Sequence, residues 1–268
     1  MNSILLNGDI PVNCFFLEDQ GKCYIIDPGY EKDKIRAYVE KNKLEVIGIL
    51  LTHAHFDHIG ALDVYDVPIY IHEDEYPILM DGFKNGFDYE GRSMDFNLDD
   101  LYIIKMNENT KLFLNTKPID VILTPGHTPG CVCYKFSNHM FTGDTLFKGS
   151  VGQWDFPSGK QEDLRKSIIH LLEDYDPATI IYPAHGDKST IGQERLSNMF
   201  YHRWKELGTI IRDTYDDYET FQKMRVHLEN KEYQKAYDIT LRLMQNPRAN
   251  PLVYMYYQYL VTKKILVN

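Results

Sequence analysis

Val46-Ile47-Gly48-Ile49-Leu50-Leu51 runs directly into Thr52-His53-Ala54-His55-Phe56-Asp57-His58, and the fold is decided at that junction. An uninterrupted apolar run of this length reads as a strand buried on both faces. Where such a strand ends, alternate residues point to one side. His53 and His55 can therefore address one metal, while the chain turns and Asp57 and His58 diverge towards another. A single histidine is more often a surface or hydrogen-bonded core residue than a ligand. Three histidines and an aspartate within six residues, directly after a buried strand, reverse that expectation. Imidazole and carboxylate suit zinc, and iron or manganese as well, so spacing alone does not name the metal.

The arrangement recurs downstream. Leu123-Thr124-Pro125-Gly126-His127-Thr128-Pro129-Gly130, Phe141-Thr142-Gly143-Asp144-Thr145-Leu146 and Ile181-Tyr182-Pro183-Ala184-His185-Gly186 each lead an apolar β-type run into a Gly-containing turn that carries one His or Asp. Around them the pattern is that of an α/β domain with many strands. Residues 14–17 and 23–26 read as a hairpin closed at Asp19-Gln20-Gly21. Residues 31–43 read as an amphipathic helix on Ile35, Tyr38 and Val39, and residues 164–172 as a second helix. Further strands are expected at 69–71, 120–123, 132–136, 139–142 and 179–182.

The 268-residue chain is long enough for one large domain, or for a catalytic domain with a small appendage. Its hydrophobic and charged fractions, 43% and 25%, are those of an ordinary globular protein. The formal net charge is −10, and even two bound divalent cations would leave it acidic. A phosphate backbone is a poor partner for such a surface, so nucleic-acid binding is not expected. Residues 1–17 have no basic start, and Asn7, Asp9, Pro11 and Asn13 interrupt any apolar stretch; neither a signal peptide nor a membrane span is expected. Cys14, Cys23, Cys131 and Cys133 lack CxxC spacing and form no dense framework, which points to a reducing cytoplasm. Cys131 and Cys133 read more simply as one buried strand face than as ligands. His72, His139, His170, His202 and His227 have no clustered partners.

Taken in order, the HxHxDH motif at 53–58, His127, Asp144 and His185 resemble the ligand set of the metallo-β-lactamase superfamily, in its glyoxalase II-like (hydroxyacylglutathione hydrolase-like) branch. The flanking words Thr-Pro-Gly-His-Thr-Pro-Gly, Gly-Asp-Thr-Leu-Phe and Pro-Ala-His-Gly-Asp resemble that branch too, and the match spans roughly residues 1–198. The resemblance implies an αββα sandwich with a two-metal site at one edge. By position, His53, His55 and His127 would hold the first metal, Asp57, His58 and His185 the second, and Asp144 would bridge them. It implies a metal-dependent hydrolase, a thioesterase of glyoxalase II type, in which a hydroxide bridging two divalent cations, zinc first among them, attacks a carbonyl. Asp57 would also orient that hydroxide. The alternatives are a persulfide dioxygenase with mononuclear iron, and a lactonase or other ester hydrolase of the same superfamily. A flavodiiron-type oxidoreductase would want Glu where His55 stands.

Two loops bear on the small-molecule substrate. Residues 79–98 form an irregular segment of the kind that borders the pocket in this superfamily, which makes Phe83, Phe87 and Tyr89 contact candidates. Aromatics that merely anchor a loop would give the same sequence. Residues 146–159 place Gln153 where glutathione-using glyoxalase II proteins carry a basic residue, and a neutral side chain gives a glutathione carboxylate no countercharge.

After Arg195 strand patterns vanish, and residues 199–268 read as a small all-helical extension. Leu207, Ile210, Ile211 and Thr214 keep one helical face; Tyr233, Ala236, Tyr237, Thr240, Leu241 and Met244 keep another, stopped by Asn246-Pro247; Pro251 opens a last helix over 252–266. Residues 220–250 faintly resemble a tetratricopeptide unit. One such repeat cannot bury its own apolar face, so the tail should pack on the catalytic domain or serve as the arm of a homodimer.

Overall fold

The computed structural model describes residues 2–7, 10–88, 90–207, 218–246 and 252–265. Two six-stranded sheets face each other. The first holds β1 (Asn2–Asn7), β2 (Pro11–Asp19), β3 (Lys22–Ile26), β4 (Glu45–Leu50), β5 (Ile69–His72) and β6 (Ile103–Met106), in that spatial order. β1 to β3 pair antiparallel and β3 to β6 parallel. The second draws on β7 (Leu112–Leu114), β8 (Lys117–Leu123), β9 (Val132–Phe136) and β10 (His139–Gly143). A short ribbon of β11 (Leu146–Phe147) and β12 (Ser150–Val151) precedes its last members, β13 (Ile180–Pro183) and β14 (Ser189–Thr190). Its spatial order is β14-β13-β10-β9-β8-β7, with only the β10 and β13 pair parallel.

The two-residue alternation of β2 explains why both faces are covered. Phe15 and Leu17 point between the sheets, where they meet Tyr24, Ile26 and Leu50 of their own sheet and Tyr134, Phe136 and Phe141 of the other. The Phe15 and Phe141 rings stand 5.2 Å apart across this layer. Cys14 and Phe16 point the opposite way, onto Ile35 and Val39 of α1 (Lys32–Asn42). Two short helices follow in the first half, α2 (Phe56–Ile59) and α3 (Tyr76–Leu79). Behind the second sheet, Cys133, Met140 and Ile181 meet Leu164, Ile168, Leu171 and Leu172 of α4 (Gln161–Asp174). Next come α5 (Ile191–Ser197) and α6 (Met199–Leu207), whose Tyr201 and Trp204 complete the same cluster. The architecture is an αββα sandwich.

The expected hairpin is present, with both turn residues in the left-handed region, Gln20 at φ 49° and Gly21 at φ 81°. Strands β1, β6, β7 and β14 have no counterpart in the sequence reading, and they are the four sheet edges. The last helices are α7 (Tyr218–Glu229), α8 (Tyr233–Leu243) and α9 (Leu252–Ile265). They form a fourth cluster around Met224, Leu228, Val253 and Tyr256, joined by Phe83 from the 79–98 loop. Of the expected helical face at Leu207, Ile210, Ile211 and Thr214, residues 208–217 lie outside the described residues, as do Pro247, Pro251 and Leu266. Among the described residues no helix is long and apolar enough to cross a membrane.

Two bonds tie the sheets together at the end of β4. The Val132 amide donates to the Thr52 carbonyl at 2.9 Å, and the buried Tyr134 hydroxyl donates to the Leu51 carbonyl at 2.7 Å. Replacing Tyr134 by Phe strips the buried Leu51 carbonyl of its partner and is expected to cost about 1–3 kcal/mol, read from the urea-unfolding midpoint. An unchanged midpoint would show that this tie contributes nothing.

Candidate metal centre

Strand ends deliver the side chains. β4 runs out at Leu50, and the following turn places His53 and His55; α2 then carries Asp57 and His58. His127 follows β8, Asp144 follows β10 and His185 follows β13. The structure brings all seven together, in three overlapping groups whose ligand atoms lie within 4.8 Å of one another: His53, His55 and His127; His53, His58 and Asp144; Asp57, His58 and His185. His127 Nε2 stands 3.2 Å from His53 Nε2 and 2.8 Å from His55 Nδ1. His185 Nε2 lies 3.2 Å from Asp57 Oδ2 and 3.4 Å from Asp144 Oδ1.

The outer nitrogens of the rings decide what the inner ones can do. Thr52 donates its hydroxyl proton to Asp27 Oδ2 at 2.6 Å, so its oxygen can only accept from His53 Nδ1 at 3.2 Å. His127 Nδ1 donates to the Gln153 carbonyl at 2.5 Å, and His185 Nδ1 to the Pro11 carbonyl at 2.7 Å. These tautomers follow from the partners, because a carbonyl cannot donate. His53 and His127 thus present Nε2 lone pairs inward, and His185 turns its Nε2 inward beside Asp57 and Asp144. His58 Nδ1 faces Asp27 Oδ2 at 3.0 Å, which turns its Nε2 inward as well.

This donor set fits divalent cations. The lone pairs of His53 and His127 face each other with no proton between them, an arrangement that a cation relieves. A metal taking nitrogen at about 2.0–2.1 Å keeps tetrahedral neighbours roughly 3.3 Å apart, close to the His53 to His127 spacing. His58 Nε2 and Asp144 Oδ1 are buried without a hydrogen-bond partner among the described residues, as groups reserved for a cation would be.

Electrostatics divides the ligands. Burial, reinforced by the neighbouring imidazoles, holds His53 well below the usual histidine range and His55 down at about 3; burial also lowers His127. These three are neutral. Burial acts the same way on His58 and His185, but carboxylates outweigh it: Asp57, Asp27 and Asp144 hold His58 up at about 9, and Asp144 with Asp57 holds His185 at about 11. Burial pushes the two aspartates up, and the imidazoles overcome it, keeping both ionised, Asp144 well below the ordinary carboxylate range.

Two supporting carboxylates escaped the sequence reading. Asp27, directly after β3, accepts from the Thr52 amide and hydroxyl and faces His58. Glu75 is fully buried and accepts from the Ala54 amide between the first two histidines, from the Thr128 hydroxyl and from the Gly130 amide. It clips the HxH turn to the His127 turn, and burial pushes it up to about 7. Gly130 permits this, since a Cβ there would stand 2.4 Å from the Glu75 amide nitrogen. Nothing in the sequence distinguishes Glu75 from its acidic neighbours Glu73 and Asp74.

Above the centre is a cavity of about 250 Å³. Its apolar wall is Ile10, Phe56, Phe147 and Phe156; Gln153 is its polar member beyond the candidate ligands, and no Lys or Arg among the described residues lines it. Phe83 and Phe87, expected as substrate contacts, do not line this cavity. Phe83 is buried against Tyr256 and Tyr259, and Phe87 packs on Phe56 behind the cavity. Apolar rings on a loop that crosses a core are drawn into that core. Tyr89 lies outside the described residues. His72, His139, His170, His202 and His227 join no metal-binding group among the described residues, and Cys131 and Cys133 are buried thiols pushed far up by burial.

The sequence pattern of the metallo-beta-lactamase superfamily matches residues 7–185. The chain is 37% identical over 202 residues to the probable metallo-hydrolase YqgX of Bacillus subtilis, covering 72% of this chain and 93% of the relative. It is 34% identical over 198 residues to the hydroxyacylglutathione hydrolase GloC of Haemophilus influenzae, covering 70% and 92%. Among solved structures, the di-iron-bound form of TTHA1623 superposes with a TM-score of 0.67 at 33% identity, over 75% of this chain and all of the other. The chain belongs to the metallo-beta-lactamase superfamily and is a metal-dependent hydrolase of that class.

The split in proton affinity predicts a split in metal binding. Between about pH 6 and 8 a cation entering among Asp57, His58 and His185 must displace protons from both histidines, so its affinity should rise with pH by up to roughly 100-fold per unit. A cation among His53, His55 and His127 displaces none, and its affinity should stay nearly flat. Competition titrations with a chelating dye at several pH values read both slopes; equal slopes would contradict the division.

Proposed function

We propose that residues 1–198 carry a thioester hydrolase of glyoxalase II type and that residues 199–268 are a helical extension laid against it. In this reading His53, His55 and His127 hold one divalent cation, Asp57, His58 and His185 hold a second, and Asp144 lies between. The observation that carries it is the Asp144 carboxylate. Its Oδ2 faces His127 Nε2 at 3.6 Å, while its Oδ1 faces His185 Nε2 at 3.4 Å and His58 Nε2 at 3.6 Å. A second complete donor set favours two cations over the single iron of a persulfide dioxygenase. The donors suit zinc, and the di-iron-bound neighbour keeps iron as the other choice. Held there, divalent cations lower the pKa of water towards neutrality and polarise a carbonyl oxygen.

The chain's own groups have separate tasks. Asp57, ionised and lining the cavity, accepts a hydrogen bond from the attacking water and orients it towards the acyl carbon. Phe56, Phe147, Phe156 and Ile10 receive the acyl group and exclude bulk water. Gln153 offers hydrogen bonds without charge. Among the described residues a glutathione carboxylate therefore finds no cationic partner in the cavity wall. The name of the Haemophilus relative supports thioester chemistry. The four cysteines are buried and free, in keeping with a reducing cytoplasm.

The test compares S-lactoylglutathione with the lactoyl thioester of N-acetylcysteamine, which has the same acyl group and a neutral thiol. Metal-loaded protein is expected to cleave both, with kcat/KM differing by less than about tenfold, the worth of one modest ion pair. His53→Ala should abolish both. Turnover of neither thioester would sink the thioesterase reading, and a glutathione preference above roughly 100-fold would sink the neutral cavity.

A further inference from the structure

Arg225 lies on α7, beyond the residues that match the superfamily, and its side chain is buried in a loop that does. Its Nη1 donates to the Trp154 carbonyl at 3.3 Å, and its Nη2 donates to the Phe156 carbonyl and, at 3.3 Å, to the Gly159 carbonyl. One helical turn on, Glu229 Oε1 accepts from the Ser158 amide at 2.9 Å. The Arg225 and Glu229 pair thus grips residues 154–159 by carbonyls and by an amide. A planar guanidinium with several donors can answer three carbonyls at once, whereas an ammonium cannot hold the same fork.

The gripped loop reaches the metal centre at two points. The Gln153 carbonyl, next to Trp154, accepts from His127 Nδ1 and so fixes which nitrogen His127 turns inward. The Phe156 ring stands 5.4 Å from the His55 ring and 5.9 Å from the His127 ring, in the cavity wall. Without Arg225, the carbonyls of Trp154, Phe156 and Gly159 would have to turn to water, and the Gln153 carbonyl and Phe156 would move with them.

We infer that Arg225 is a positioning residue for the metal centre: by holding residues 154–159, the C-terminal helices fix the tautomer and orientation of His127. This rests on the reading of His53, His55 and His127 as a cation site, and is independent of the substrate. Supporting groups of this kind are commonly worth about 10-fold to 100-fold in metal affinity.

The experiment uses the full chain with Arg225→Lys, with Glu229→Gln as a milder variant that leaves the guanidinium in place, and with Lys235→Ala, on the exposed face of α8, as control. Two quantities are read. The first is the solvent-exchange rate of the His127 Nδ1 proton in metal-free protein, observed by NMR and assigned by its loss in His127→Ala. The second is cobalt(II) affinity, followed by the visible absorption of the bound ion. Arg225→Lys should speed proton exchange and weaken cobalt binding by about tenfold or more. Glu229→Gln should shift both in the same direction by less, and Lys235→Ala should shift neither. Should Arg225→Lys fail to fold, as judged by circular dichroism, Glu229→Gln alone decides. Unchanged exchange and unchanged cobalt affinity in the folded variants would overturn the proposal and leave the cation site intact. No cobalt binding by the parent protein, with exchange still governed by Arg225, would instead overturn the cation reading and keep Arg225 as the residue that positions His127.

Discussion

Between His53 and His127 two imidazole lone pairs face each other across 3.2 Å, with the proton of each ring committed to the outside, to the Thr52 hydroxyl and the Gln153 carbonyl. Left alone, that contact is repulsive, and the surrounding structure must hold it. Thr52 is held by Asp27 and, through its carbonyl, by Val132 of the opposite sheet. His127 is held by its turn, which Glu75 clips to Ala54. The two facing sheets are the frame across which these attachments are made. The side chains arriving from four strand ends converge where the sheets are tied, at the end of β4.

The seven candidate ligands were legible in the sequence because each follows within a few residues of an apolar run, and that signal is local. The central strands were legible for the same reason: Phe15 and Leu17 face one core, Cys14 and Phe16 another, and both sets must be apolar. The edge strands β1, β6, β7 and β14 pair on one side only, so their sequences need not alternate so strictly, and they left no clear pattern. Glu75 and Arg225 were invisible because their roles depend on partners far along the chain. A buried charge is recognised by what surrounds it, and a sequence does not display its surroundings. Phe83 shows the converse, since an aromatic in a loop looks the same whether it meets a substrate or, as here, Tyr256 and Tyr259.

The helical extension packs on the catalytic sandwich through chemistry of two kinds. Phe83 enters an apolar cluster among α7, α8 and α9, and Arg225 enters a polar one formed by backbone carbonyls. Beyond the candidate ligands, the described residues of the cavity wall are Ile10, three phenylalanines and the neutral amide of Gln153.

The central claim is that the seven side chains form two cation sites. Counting the zinc ions that metal-free protein takes up at pH 8, by dialysis and elemental analysis, addresses it most directly. The account predicts two equivalents per chain, falling to one in His58→Ala with the His53, His55 and His127 site kept. Uptake of one equivalent or less by the unaltered chain would contradict it.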